Sequence, residues 1–244
     1  MPEGWRQNVL IGMSEDGRIS RGQDNKPRPN DSSIVAVDTL IPGIVNLHSH
    51  SFQRAFAGLT ESRGEASNDS FWTWRKRMYD FLQVITPSDL QAIAELVQME
   101  MLEAGLTHLP VLYMQAGADG RNLEEKQARF GCDLDSFHEI TSGVSEILKN
   151  APPDCNAGIA PHSLRAVPAS ALKTILETHQ QGPVHIHIAE QNAEVLELQE
   201  VYAARPVEWL LANVEVDKRW CFRCTVVLKQ CWCYRHRFRF KCAN

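Results

Sequence analysis

The apolar positions of this chain change rhythm along its length. Over residues 5–20, WRQNVLIGMSEDGRIS, an apolar run gives way to Asp16-Gly17 and then to a second short run. That is the pattern of a β-hairpin closed by an Asp-Gly turn. Residues 21–33 are polar and proline-bearing and read as a loop, after which IVAVDTLIPGIVNL predicts two short β runs around Pro42-Gly43. Residues 60–70 read as another loop, with Asn68, Asp69 or Ser70 placed to cap a helix beginning near FWTWRKRMYDFL. A longer helix is predicted through TPSDLQAIAELVQMEMLEAG, with Thr86 as N-cap, Pro87 in the first helical position and Gly105 as the stop.

Beyond that helix the pattern alternates. THLPVLYMQAG reads as a buried strand, residues 133–149 as an amphipathic helix, and AGIAPHSL as a strand ending in a polar loop. PASALKTILETHQ follows as a helix, PVHIHIAEQ as a strand and RPVEWLLANV as a helix. Regular alternation predicts a parallel α/β architecture, with the N-terminal β segment as a separate small layer. The rhythm is lost after Trp220: CFRCTVVLKQCWCYRHRFRFKCAN contains no acidic residue and is dense in Cys and Arg.

Composition narrows the class. A chain of 244 residues accommodates one large domain or two small ones, and 43% hydrophobic with 23% charged residues is globular composition. The net charge of −5 gives no reason to expect nucleic acid or an anionic membrane as partner. No apolar run approaches the roughly 20 residues of a membrane span. MPEGWRQNVLIG lacks the basic start and cleavage site of a signal peptide, so a cytoplasmic location is expected. Cys132 and Cys155 are isolated, and the odd total of 7 cysteines argues against a disulfide framework.

Three predicted strand ends carry histidine: VNLHSH, GIAPHSLR and VHIHIAEQ. His48 and His50 project from the same side of an extended chain, where two neutral imidazoles can hold a metal ion together. They also suit a strand that merely runs out into a loop. His185 and His187 alternate with Ile186 and Ile188, as a structural pair would, and His162 and Arg165 suit an exposed polar loop. Taken together, imidazoles and carboxylates at one end of successive parallel strands form the pattern a metal hydrolase needs.

PGIVNLHSHSFQRAFAGLTE, NDSFWTWRKRMYDFL, APHSLRAV, VHIHIAEQ and ARPVEWLL together resemble the amidohydrolase superfamily, and within it the formimidoylglutamate deiminase family. The resemblance implies a zinc-bearing (β/α)₈ TIM barrel with a small β-sandwich. It also implies hydrolysis of N-formimino-L-glutamate to N-formyl-L-glutamate and ammonia in histidine degradation. Carried over by motif, His48, His50 and His187 become ligands of one Zn²⁺ per chain, and Glu190 becomes the proton-shuttling carboxylate. Gln53, Arg75, His162 and Arg165 match positions around the substrate, and two guanidinium groups suit an acidic amidine. Alternatives are a related amidohydrolase acting on another amidine, guanidine or ring amine, and a catalytically dead metal-binding relative.

The chain also departs from that pattern. LEAGLTHLPVLY passes directly between segments that the family separates by a strand and most of a helix, so Tyr113 is not the family's substrate-contacting tyrosine. DKRWC leads into the Cys/Arg-rich stretch instead of a strand with a further metal-site histidine, and His236 stands in no matching context. The organisation expected is therefore a β-sandwich remnant over 1–41, an incomplete barrel over 42–220 and a non-family tail over 221–244. An incomplete barrel leaves a strand edge and apolar surface uncovered, which makes pairing into a homodimer the candidate assembly. Little or no deiminase activity is expected. For the tail, a small zinc site at Cys221, Cys224, Cys231 and Cys233, a nucleic-acid-binding segment and out-of-frame sequence all stay open, the last favoured by the break in composition.

Overall fold

Asp16-Gly17 closes a hairpin in the computed structural model, which describes residues 4–27, 30–46, 49–60, 71–108, 131–153 and 155–223. β1 (Leu10–Met13) pairs antiparallel with β2 (Ile19–Gln23). Gly17 takes the left-handed conformation the turn demands, at φ +78°. The Ser14 hydroxyl donates to the Asp16 carboxylate and to the Arg18 carbonyl across the same turn. β2 extends through Arg21–Gln23, residues expected to be loop, because ladder pairing to Leu10–Gly12 outweighs their polarity. This hairpin belongs to the first of two compact units, Met1–Pro42. Residues 34–41 form no strand, and only Ile44–Val45 does so beside Pro42-Gly43. Among the described residues, the N-terminal unit has one two-stranded sheet.

In the second unit, from Gly43 on, β3 (Ile44–Val45) leads into a 3₁₀ turn, Ser51–Phe56, and then α1 (Phe71–Leu82). The capping residues proposed for α1, Asn68, Asp69 and Ser70, lie outside the described residues. α2 (Pro87–Glu103) starts with a capping box: Asp89 N donates to Thr86 Oγ1 at 3.2 Å and Thr86 N to Asp89 Oδ2 at 2.9 Å. It stops at Gly105, φ +81°, and the chain turns at once into β4 (Leu106–His108), parallel to β3. The rest of the strand predicted through LPVLYMQAG, with Tyr113, lies outside the described residues.

α3 (Leu134–Leu148) is capped by the Asp133 carboxylate, which accepts from Ser136 N at 2.8 Å. α4 (Ala169–Thr178) precedes β5 (Val184–His187). β5 is flanked on one side by β6 (Trp220–Arg223), parallel and in register from Val184↔Trp220 to His187↔Arg223. Its other side meets single parallel bridges from Ile159 and Ser163. AGIAPHSL was expected as a strand ending in a polar loop; it forms only these bridges, and Pro161 has no N–H to offer a ladder between them. α5 (Asn192–Tyr202) and α6 (Pro206–Asn213) connect β5 to β6. α5 was not anticipated, although Leu198 and Tyr202 pack on the core and Val195 is buried beside them along the chain. β6 also carries Cys221–Arg223, the first residues of the stretch set aside as tail, into the sheet.

The core lies around β5. Val184, Ile186 and Ile188 pack with Ile159, Leu164, Val167, Leu172, Ile175, Leu198, Leu210 and Trp220. His187 is buried as well, so both faces of this strand are covered, as in parallel sheets. Among the described residues, no helix is long and apolar enough to cross a membrane.

Candidate functional site

β5 ends at His187, and what surrounds that ring defines the site. The His50 ring lies 5.6 Å away, centroid to centroid, with the two planes within 7° of parallel. His162 approaches from the bridged segment at 5.3 Å. Glu190, just past the strand end, brings Oε1 to 3.1 Å from His187 Nδ1. Three separate stretches of chain thus deliver imidazoles to one place, two of them joined by β-type backbone pairing, in which His187 N donates to His162 O at 2.9 Å. His50 is set by the 3₁₀ turn that follows it, where Gln53 N donates to His50 O at 3.0 Å. That turn is tied to α2 by a bidentate fork, Arg54 Nε and Nη2 each 2.8 Å from the Glu100 carboxylate. A cleft of about 320 Å³ opens there, lined by Ser49, His50, Arg54, Val97, Glu100 and Met101 among others.

Electrostatics follow from burial. His162 keeps only part of its surface exposed, and removal from water, then the charges of His187 and Arg165, push its pKa down to about 3. It is therefore a neutral imidazole at physiological pH, with Nδ1 3.0 Å from Ser163 Oγ. Glu194 is buried at the start of α5, and removal from water raises its pKa, opposed by hydrogen bonds from the Glu190 and Ala189 amides and by Arg165.

Of the residues singled out in the sequence, His50, His162, His187 and Glu190 come together. Arg165 acts on His162 and Glu194 through its charge. Gln53 sits in the turn after His50, its amide 4.0 Å from Met78 Sδ of α1. Arg75 is buried on α1, its guanidinium 5.5 Å from the Tyr79 ring centre. His48 lies outside the described residues, as does His236. Arg54, Glu100 and Glu194 were not anticipated. For Glu194 a signal existed, an acidic residue four positions after Glu190 in the stretch between two strands.

The donor chemistry suits a borderline divalent cation. Imidazole nitrogens and carboxylate oxygens are ordinary zinc donors, and His50, His187 and Glu190 are gathered at one strand end. Among the described residues no group of three His, Cys, Asp or Glu converges on a single point. A third ligand has to come from elsewhere, and His48, two residues from His50, is the sequence's candidate.

Comparison with known proteins places the chain in a family. Residues 39–213 match the Amidohydrolase family. A formimidoylglutamate deiminase from Pseudomonas aeruginosa is 37% identical over 262 residues, covering 91% of this chain and 56% of that protein. An amidohydrolase from Brucella melitensis has a crystal structure similar at TM-score 0.75 and 32% identity, covering 91% of this chain and 57% of the other. An adenosine deaminase from Xanthomonas campestris, crystallised with bound zinc, shares the fold at TM-score 0.57 and 19% identity, over 74% of this chain and 44% of that one. The chain thus spans a little over half the length of the first two. The stretch aligned with the Pseudomonas protein is longer than this 244-residue chain, so that relative holds internal residues with no counterpart here. With the family model matching residues 39–213, most of its length, the chain belongs to the amidohydrolase family.

Proposed function

We propose that the chain derives from a zinc-dependent formimidoylglutamate deiminase, which hydrolyses N-formimino-L-glutamate to N-formyl-L-glutamate and ammonia. The observation that carries this reading is the 37% identity to the Pseudomonas deiminase. The meeting of His50, His162 and Glu190 around His187 supports it. The fold would be that of a (β/α)₈ barrel, of which β3–β4 and β5–β6 are parallel pairs.

One ion per chain would be held by His48, His50 and His187, and when bound it would supply a water acidic enough to attack at neutral pH. Glu190 is the proton carrier: its carboxylate takes a proton from the attacking water and passes it to the terminal nitrogen of the formimino group. Oxygen joins the formimino carbon, the second proton of that water passes through Glu190 to the same nitrogen, the carbon–nitrogen bond breaks, and ammonia leaves with the formyl group kept on the glutamate nitrogen. His162 stays neutral and offers a ring nitrogen to the substrate. Arg165 and Arg75 would bind the glutamate carboxylates, and Gln53 would contact the substrate as well. The setting would be histidine breakdown in the cytoplasm, and the protein would act as a homodimer.

A second reading, metal binding without turnover, is favoured by the internal residues the Pseudomonas relative has and this chain lacks. One experiment separates the two. Purified chain is assayed for zinc by elemental analysis and for ammonia release from N-formimino-L-glutamate, with an adenosine nucleoside as the ring-amine control. Zinc near one per chain with release from the formimino compound alone supports the deiminase; zinc without release supports the silent form. Release from the nucleoside alone moves the chain to a different substrate class. Zinc retained by a His50→Ala, His187→Ala double variant would refute the site itself.

A further inference from the structure

We propose that Glu194 is a positioning residue: from the first turn of α5, its buried carboxylate holds the Ala189–Glu190 backbone so that Glu190 faces His187. The inference rests on the reading of Glu190 as proton carrier. β5 ends at His187 and α5 begins at Asn192, so neither ladder nor helix sets the backbone between them. Glu194 bonds both amides of this turn: Glu190 N donates to Oε2 at 2.9 Å and Ala189 N to Oε1 at 3.3 Å. Ala189 itself is held at φ +53°, a left-handed conformation that a residue with a Cβ adopts only when its surroundings impose it.

Glu194 is only 7% exposed. Burying a carboxylate is costly unless it is hydrogen-bonded, and helix packing alone would be served as well by an apolar side chain. Ordinary capping does not explain it either. A capping box would aim the third helical residue at the N-cap amide, Gln191, whereas this carboxylate reaches past it. Both amides that it binds belong to the turn from which Glu190 extends toward His187 at 3.1 Å. The two acceptor oxygens thus set the direction in which the proposed proton carrier leaves the backbone.

The test uses the full chain with Glu194→Gln and Glu194→Ala. Gln keeps the shape but leaves one good acceptor; Ala leaves none. Amide hydrogen exchange at Ala189 and Glu190 is expected to rise roughly ten-fold or more in each variant, while peptides from α4 and β5 stay protected. Ammonia release should lose about ten- to a hundred-fold in kcat with KM changed by less than about three-fold, at unchanged zinc content. Unchanged exchange at Ala189 and Glu190 would overturn the proposal whatever the turnover. So would faster exchange with kcat intact. If neither variant folds, the unmutated chain decides: a Glu190 amide that exchanges as fast as the exposed Gln181 amide overturns the clamp, and a protected one supports it. Absence of turnover in the unmutated chain sinks the deiminase reading alone, and the exchange data then judge the clamp by themselves.

Discussion

His162 shows how burial, rather than residue type, sets what a side chain can do here. In the unfolded chain its imidazole takes a proton near pH 6.5, and in the folded chain only at about 3, because the site keeps water away and His187 and Arg165 disfavour a further cation. Between those values the unfolded chain binds more protons, so folding stability rises with pH. This contribution is complete above about 6.5 and is lost as pH falls toward 3. Urea unfolding of the chelator-treated chain should therefore weaken by roughly 1–3 kcal/mol between pH 7 and pH 4 from this group. A His162→Asn variant should lose that part of the slope, and equal slopes for the two proteins would mean that the imidazole is not shielded. The sequence made His50, His162 and His187 visible because each closes a strand-like run, a position a parallel fold reserves for chemistry. It hid Glu194, whose role depends on a turn with no regular pattern, and Arg54–Glu100, a pair 46 residues apart.

Elements were legible where local signals and tertiary demands agree. α2 announces both ends through Thr86, Pro87 and Gly105, and α3 its start through Asp133. Agreement failed at AGIAPHSL, where an apolar run is strand-like but Pro161 interrupts the ladder, and at α5, whose glutamates masked its stripe. Nor does periodicity reveal how closely two segments approach. A Cβ on Gly182, at φ +76°, would lie 1.9 Å from the Ala157 carbonyl oxygen, and one on Gly158 would lie 2.1 Å from that of Pro183. These glycines let the bridged segment close on β5, where Ile159 N donates to Pro183 O at 2.9 Å, and so set His162 beside His187. Gly182→Ala should cost more than about 2 kcal/mol in urea unfolding, through the left-handed φ and the backbone clash together. Gly143→Ala, in α3 with open space around the added methyl, should be neutral or stabilise by up to about 1 kcal/mol. Equal effects at the two positions would show that close approach does not hold this junction.

At the scale of the whole molecule, apolar surface is unevenly covered. Around β5 the core residues are almost fully buried, whereas Ile44 and Val45 of β3 are 63% and 47% exposed. On α2, Leu96, Met99 and Leu102 are exposed too, and their three-residue spacing lines them up as one stripe. A parallel strand ordinarily has both faces covered, so exposure of this extent on β3 marks a surface that lowers its free energy by meeting another. A homodimer is the simplest form of that contact, because identical patches meet across a two-fold axis. Sedimentation velocity should therefore show association that grows with concentration through the micromolar range. Replacing Met99 and Leu102 by Lys should shift the chain toward monomer while far-ultraviolet circular dichroism stays the same, since neither side chain is buried. Added salt discriminates further: contact driven by apolar burial holds or strengthens at high ionic strength, whereas contact between charges weakens. A monomer at every concentration, for both the unmutated chain and the Lys variant, would show that this face is not an interface between copies.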